Sequence, residues 1–255
     1  MKIGVIFYHK NIFKIYDKRW IEKSVSSMLN QTRKDFTIYE VNYGGDNVSL
    51  FSDLQDLNHE LFFFSQEMTN HAEAMNFIID KAFENGEDFV FNTNLDDYYA
   101  LDRIEKQISI LEKGFDLVSS DFCYISEMNG CDTVTFHKDI LKFGSIENNL
   151  NRDHNVIAHP AVVINRKFWE GNRYVPEEIP REDLLLWKRA IKNGYKLCIH
   201  PDELLFYRLH GNQITGNNIG LNKSGGHIQI PRNHTGINKE IITSEKNLRE
   251  IRYNF

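Results

Sequence analysis

Apolar residues in this chain alternate between two spacings, a short β-rich run and a helical stripe. Ile3-Gly4-Val5-Ile6-Phe7-Tyr8 is the first run, and Trp20 to Asn30 then carries Ile21, Val25, Met28 and Leu29 at helical spacing. Phe36 to Val41 predicts a second strand, ending at Asn42-Tyr43-Gly44-Gly45-Asp46, where paired glycines favour a turn or a ligand's approach to the backbone. Leu61 to Ser65 is a third strand, ahead of a helix from about Asn70 to Asn85 with Ala74, Phe77, Ile78 and Ala82 facing inward. Phe89-Val90-Phe91 has the uninterrupted apolar character of a strand covered on both faces. Strands and helices in this alternation predict an α/β fold with a doubly wound, mostly parallel central sheet and flanking helices.

The second half is less regular. A helix from Asp102 to Lys113 and a strand from Asp116 to Tyr124 continue the alternation, which Glu127 to Arg152 then loses to a hairpin or an irregular insertion. Ala161 to Ile164 restores a strand, and a helix runs from Glu182 to Asn193, closed by Gly194 at the C-cap position. Lys196 to His200 and Leu204 to Tyr207 read as two short strands. Gly211 to Gly226 is rich in Gly, Asn and Ser, the composition of a loop or lid, and the tail after Ile237 has weak helical character.

With 255 residues, 41% of them hydrophobic, the chain is long enough to bury a sizeable core. Its net charge of -6 argues against general binding to nucleic-acid phosphates. Cys123, Cys131 and Cys198 have neither zinc-site nor redox-pair spacing, which suits a reduced, cytoplasmic setting. The opening segment is too short and strand-like for a signal sequence, and no apolar run approaches membrane-spanning length.

The chemistry concentrates at Asn94-Leu95-Asp96-Asp97-Tyr98-Tyr99, directly after the Phe89-Val90-Phe91 strand. Ligands of open α/β sheets bind beyond the carboxyl ends of the strands, and carboxylates there supply hard oxygen ligands to Mg²⁺ or Mn²⁺, which in turn neutralises a diphosphate. The same residues also suit an Asx-rich turn. A second acidic pair, Glu182-Asp183, opens a helix, where the dipole stabilises an anion whether or not it does chemistry.

In order, the chain shows a strand-helix start with Ser24-Val25-Ser26-Ser27-Met28-Leu29-Asn30-Gln31-Thr32, then Asp35-Phe36-Thr37-Ile38 and a glycine turn after the second strand. Asn76 in the helix before the acidic cluster, Asn94 to Asp97, Glu182-Asp183 and Tyr207-Arg208-Leu209-His210 follow. This succession resembles the family 2 glycosyltransferases of the GT-A fold over most of the first 215 residues. The resemblance implies a glycosyltransferase domain over 1–215, with a donor half to about 100 and an acceptor half from 101, followed by a loop and tail over 216–255. Asn94-Leu95-Asp96 is similar to the family's Asp-x-Asp element, which implies Asp96 as metal ligand and Asn94 at the donor ribose. An amide there brings one charge fewer than the usual aspartate. Asn42 stands where the family carries an aspartate that receives the uracil imide, and its carbonyl can accept the same bond. Tyr8 and Asn76 complete the implied donor set. His210 is implied as a further metal ligand, with Arg208 and Asp97 near phosphate, and His159 and Glu182 towards the acceptor. Asp183 matches the general base of an inverting transfer. Trp169 and Trp187 could stack on a sugar, although Trp187 shares a helical stripe with Leu184 and Ile191.

The resemblance therefore implies a Mn²⁺- or Mg²⁺-dependent transferase, a hexosyltransferase, using a nucleotide-sugar donor, a UDP-sugar in the first place, and an unidentified glycan, protein or small-molecule acceptor. Two alternatives stand beside it: a nucleotide-sugar-binding protein without turnover, which Asn42 and Asn94 keep open, and a nucleotidyltransferase. The latter needs a glycine-rich phosphate loop, which Phe7-Tyr8-His9-Lys10-Asn11 does not provide.

Overall fold

The structure, a computed structural model, describes residues 1–54, 57–128, 131–136 and 141–210. The chain divides into two compact units, Met1–Leu209 and His210–Phe255, and all the elements below belong to the first. The predicted loop over 211–226 and the tail lie outside the described residues.

The elements in chain order are β1 (Ile3–His9), α1 (Ile12–Ile15), α2 (Lys18–Leu29), β2 (Thr37–Asn42), β3 (Leu61–Ser65), α3 (His71–Glu84), β4 (Phe89–Phe91), β5 (Tyr98–Tyr99) and α4 (Arg103–Leu111). Then come β6 (Leu117–Met128), β7 (Cys131–Phe136), α5 (Ile146–Asn151), β8 (Val163–Asn165), α6 (Arg166–Gly171), α7 (Glu182–Lys192) and β9 (Leu197–Arg208). The sheet order is β3-β2-β1-β4-β8-β6-β9-β5, with β7 added beside β6. β3, β2, β1 and β4 are mutually parallel, as are β6 and β9; β8 runs antiparallel to both of its neighbours. The expected α/β architecture, with a large mostly parallel sheet and helices on both sides, is the one observed.

Side-chain alternation explains why the sheet is covered on both faces. In β1, Ile3, Val5 and Phe7 pack with Ile21, Val25 and Met28 of α2 and Ile104, Ile108 and Leu111 of α4. Ile6 faces the other way, onto Ala74, Ile78 and Ala82 of α3, in a core that continues through Phe168 and Trp169 of α6 to Trp187 of α7. Gly4 lets α3 sit close, because a Cβ there would meet the Tyr39 ring at 3.2 Å and the Ala82 methyl at 3.4 Å.

Helix starts follow capping chemistry. Asp17 accepts the Arg19 N–H, so α2 begins at Lys18, two residues before the predicted start at Trp20, and Asn70 accepts the Glu73 N–H at 3.1 Å to start α3. Gly194, with φ of +80°, follows α7 as expected. The irregular stretch after Glu127 contains the β6–β7 hairpin and α5. One expectation is corrected: Lys196–His200 and Leu204–Tyr207 are a single strand, β9. Its pairing with β6 shifts register around Asp121, and the irregularity accommodates Pro201-Asp202, which broke the apolar pattern.

Candidate active site

Parallel pairing of β2, β1 and β4 brings His9, Asn42 and the segment after Phe91 to one edge of the sheet. Asn94 is held there from three directions. Its side-chain carbonyl accepts the Tyr8 hydroxyl at 2.6 Å, its backbone N–H donates to the Tyr99 hydroxyl at 2.7 Å, and its backbone carbonyl accepts the Ser24 hydroxyl at 2.8 Å. Asp96 and Asp97 are both buried. Oδ1 of Asp97 accepts the Arg208 backbone N–H at 2.8 Å, whereas its Oδ2 is buried with no hydrogen-bond partner among the described residues. Burial first, and the Asp96 charge second, hold the Asp97 carboxyl well above the usual carboxylate range. Tyr16 lies near enough for burial and the Asp96 charge to raise its hydroxyl too. A leftover buried carboxylate oxygen beside a second carboxylate fits a hard divalent cation, which would relieve their repulsion. Among the described residues no three His, Cys, Asp or Glu side chains converge on such a position. His210 falls in the second unit, so the geometry here is built from residues 1–209.

Four candidates have side chains engaged differently from what the sequence suggested. Asn42 is 1% exposed; its Oδ1 accepts the Gly44 N–H at 3.0 Å and its Nδ2 donates to Asp46 and to the Val48 carbonyl, so it organises the turn. Asn76 donates to the Tyr174 carbonyl at 2.9 Å and accepts the Tyr174 N–H at 3.1 Å, clamping that residue's backbone. Arg208 directs its Nε to the Asp96 backbone carbonyl at 2.9 Å and its terminal nitrogens to Asp132, which Lys23 also meets. A buried guanidinium needs such partners. Trp169 is core, with Nε1 donating to Asp80 at 2.7 Å, and Trp187 is core as well.

The second acidic pair opens α7. Asp183 is half-buried; its Oδ2 accepts the Asn155 amide at 2.8 Å and its Oδ1 faces the Leu184 N–H at 2.6 Å. Burial pushes its carboxyl up to about 6. Glu182 is buried and meets Nε2 of His71, from α3, at 2.7 Å. Burial, the largest single influence, acts to raise the Glu182 carboxyl, but the His71 hydrogen bond, a backbone hydrogen bond and the nearby imidazoles of His71 and His159 together outweigh it, and the net shift is downward. His159 shares a hydrogen bond at 2.9 Å with the Tyr174 hydroxyl, and its backbone carbonyl accepts the Asn92 amide. Burial lowers its imidazole to about 4, so it is neutral at neutral pH. Asn76, Tyr174 and His159 thus tie α3 to the segment preceding α7. Sequence reasoning did not find His71, Asn155, Tyr174 or Asn92. His71 stood near the start of the predicted Asn70 to Asn85 helix as an unremarked polar residue, and its partner lies 111 positions away.

No established family profile matches the chain. It is 24% identical over 201 residues to an uncharacterized glycosyltransferase of Methanocaldococcus jannaschii, covering 75% of this chain and 67% of that one. It is 26% identical over 204 residues to the O-antigen biosynthesis glycosyltransferase WbnJ of Escherichia coli, covering 76% of each. Among solved structures, S. aureus TarS 1–349 in complex with UDP-GlcNAc superposes with a TM-score of 0.61 at 13% identity, over 84% of this chain and 60% of that one. The chain is thus similar in sequence to glycosyltransferases and shares the GT-A-type fold of the solved ones. The mannosyltransferase PcManGT from Pyrobaculum calidifontis, in complex with GDP-Man and Mn²⁺, shares the fold of this chain at a TM-score of 0.57 and 12% identity, over 86% of this chain and 60% of that one. The chain therefore spans about three fifths of these two solved proteins. No helix among the described residues is long and apolar enough to cross a membrane.

Proposed function

We propose that this chain transfers a sugar, with inversion, from a nucleoside diphosphate sugar to an acceptor hydroxyl, with a UDP-sugar as the favoured donor. The observation that carries the reading is the pairing of two acidic doublets in one unit. Asp96-Asp97 lies just past the carboxyl end of β4, and Asp183, a carboxylate with proton affinity near neutrality, lies at the start of α7. TarS with UDP-GlcNAc and PcManGT with GDP-Man support a nucleotide-sugar donor, and the latter's Mn²⁺ supports a divalent cation.

Asp96 and Asp97 are the residues that would hold the cation. Bound there, it would supply positive charge to the leaving diphosphate. Tyr8 and Asn94 orient the donor. The acceptor oxygen attacks the anomeric carbon as its proton passes to Asp183; the bond from that carbon to the diphosphate oxygen breaks, and its electron pair leaves with the diphosphate. A pKa of about 6 leaves Asp183 mostly ionised at pH 7 while keeping it a competent base. His159 stays neutral and holds Tyr174.

The reading is tested by a thermal-shift panel of nucleoside diphosphates and nucleotide sugars with and without Mn²⁺, since a ligand bound by the native state alone raises its stability. UDP-sugars should give the largest metal-dependent shift, followed by transfer to a panel of hydroxyl acceptors. A guanosine donor preferred over uridine would overturn the donor assignment. Tight binding without transfer or hydrolysis would favour a binding protein, which the amides at Asn42 and Asn94 make a definite second reading.

A further inference from the structure

The Glu182-Asp183 doublet is asymmetric in its partners. Glu182 is 9% exposed, meets the His71 imidazole at 2.7 Å through Oε1, and keeps Oε2 buried without a hydrogen-bond partner among the described residues. Asp183 has a side-chain amide, Asn155, and the neighbouring backbone N–H. The basic side chains that flank the doublet in sequence, Arg181 and Lys188, both pair with Asp153. The other titratable groups facing the doublet are His159 and Tyr174, bonded to each other.

We infer that His71 is a positioning residue that decides which of the two adjacent carboxylates is the permanent anion and which is the exchangeable base. To face a carboxylate at this distance, its Nε2 must carry a hydrogen, and that hydrogen bond favours the ionised form of Glu182. An ionised Glu182 one residue away then disfavours ionisation of Asp183, in the direction already set by burial. Two neighbouring carboxylates become unlike groups when one is given a charge-stabilising partner and the other is not. The downward shift at Glu182 and the upward shift at Asp183 agree with this division. His71 does not touch the acceptor in this scheme; it acts through Glu182. The inference rests on the proposed role of Asp183, and it extends the acceptor side of the site onto α3, which also clamps Tyr174 through Asn76.

The test is an NMR titration of the full chain labelled with ¹³C at Asp and Glu carboxylates, with Asp183→Asn and Glu182→Gln used for assignment. Wild type should show two separate midpoints for the doublet, Glu182 below Asp183. His71→Phe should narrow the gap by about one pH unit, the scale of one charge-assisted hydrogen bond. His71→Gln, which keeps a donor but cannot carry a charge, should narrow it less, and this milder variant keeps the test decisive if the phenylalanine variant fails to fold. In a Glu182→Gln background, His71→Gln should leave the Asp183 midpoint where Glu182→Gln alone puts it. A gap unchanged by His71→Gln, or a further movement of the Asp183 midpoint by His71→Gln in the Glu182→Gln background, would overturn the inference. The titration needs no turnover. Absent transfer with an intact gap counts against the proposed function, and transfer with an unchanged gap counts against His71.

Discussion

Two pairs of adjacent acids, Asp96-Asp97 and Glu182-Asp183, sit in one fold and are handled in opposite ways. At the first, Arg208 gives its backbone N–H to Asp97 and its guanidinium to Asp132 and the Asp96 carbonyl; its hydrogen bond and charge favour the Asp97 carboxylate, but burial and the Asp96 charge hold the Asp97 carboxyl raised. At the second, an imidazole from α3 takes one carboxylate and leaves the other to burial, and their proton affinities move apart. Under the proposed function, the doublet whose carboxylates still repel each other would take a cation, and the doublet that has been split would supply an anion beside a base. The residue types alone do not make that distinction.

Removing a carboxylate from the first pair tests the difference most severely. Asp96→Ala should abolish metal-dependent donor binding and lower transfer by about three orders of magnitude, because several kcal/mol of charge stabilisation on the leaving diphosphate is lost. Calorimetric titration of Mn²⁺ and donor into the variant measures this directly. Unchanged metal dependence would remove Asp96 from the site and erase the contrast between the pairs.

The second pair should separate binding from chemistry. Asp183→Asn should keep donor affinity near wild type while transfer falls by about two to four orders of magnitude. Stability should move the other way. The folded carboxyl titrates at about 6 against an ordinary value of 3.8, so as pH rises the unfolded chain gives up this proton first. Its ionisation therefore weakens the fold progressively across that interval and by a constant amount above it. The asparagine variant should melt higher than wild type above pH 6, with the gain fading as pH falls towards 3.8. A variant equally active, or one that melts lower at pH 8, would mean that Asp183 serves the helix and not the reaction.

Arg208 marks the boundary of the first pair. If it serves the fold, Arg208→Met should destabilise by about 3 kcal/mol by removing a buried guanidinium from the half-buried Asp132 and the Asp96 carbonyl, with the remaining folded protein binding donor normally. Chemical denaturation and donor titration on one preparation decide it. Lost affinity at unchanged stability would restore the phosphate contact that its place in Tyr207-Arg208-Leu209-His210 suggested.

Much of the fold was legible because burial leaves a periodic trace. The strands of the parallel half are apolar on both faces and the helices carry one stripe, and both survive as spacing in the sequence. β9 was less legible, since Pro201-Asp202 interrupts its pattern while the bulge preserves its pairing. Both acidic doublets could be picked out because each stands at the end of a recognisable element. What each side chain bonds to could not be read, because it depends on partners far off in the chain. His71 is 111 residues from Glu182 and Arg208 is 76 from Asp132, and no local pattern records such meetings. Asn42 is the converse case. Its partners are within six residues, and an Asx turn at a strand end was available as a local reading from the start.

The smallest effect concerns Tyr8, where the contrast between the pairs can be sharpened on the donor side. Its hydroxyl donates to the Asn94 carbonyl at 2.6 Å, and burial raises that hydroxyl well above its usual range, so it acts as a fixed neutral donor. Tyr8→Phe deletes one hydrogen bond and leaves the Asn94 carbonyl short of a partner, a loss of about 1 kcal/mol, or roughly fivefold in donor affinity if it is all expressed in binding. Asp183 is untouched by the change, so the pH dependence of transfer should keep its wild-type midpoint. Whether Tyr8 touches the donor or only holds Asn94 is settled by a double-mutant cycle with Asn94→Ala. If Tyr8 works through Asn94, removing its hydroxyl in the alanine background costs nothing further. An additive loss would instead place the hydroxyl in direct contact with the donor, and the first pair would then be served by a tyrosine ligand as well as by its carboxylates.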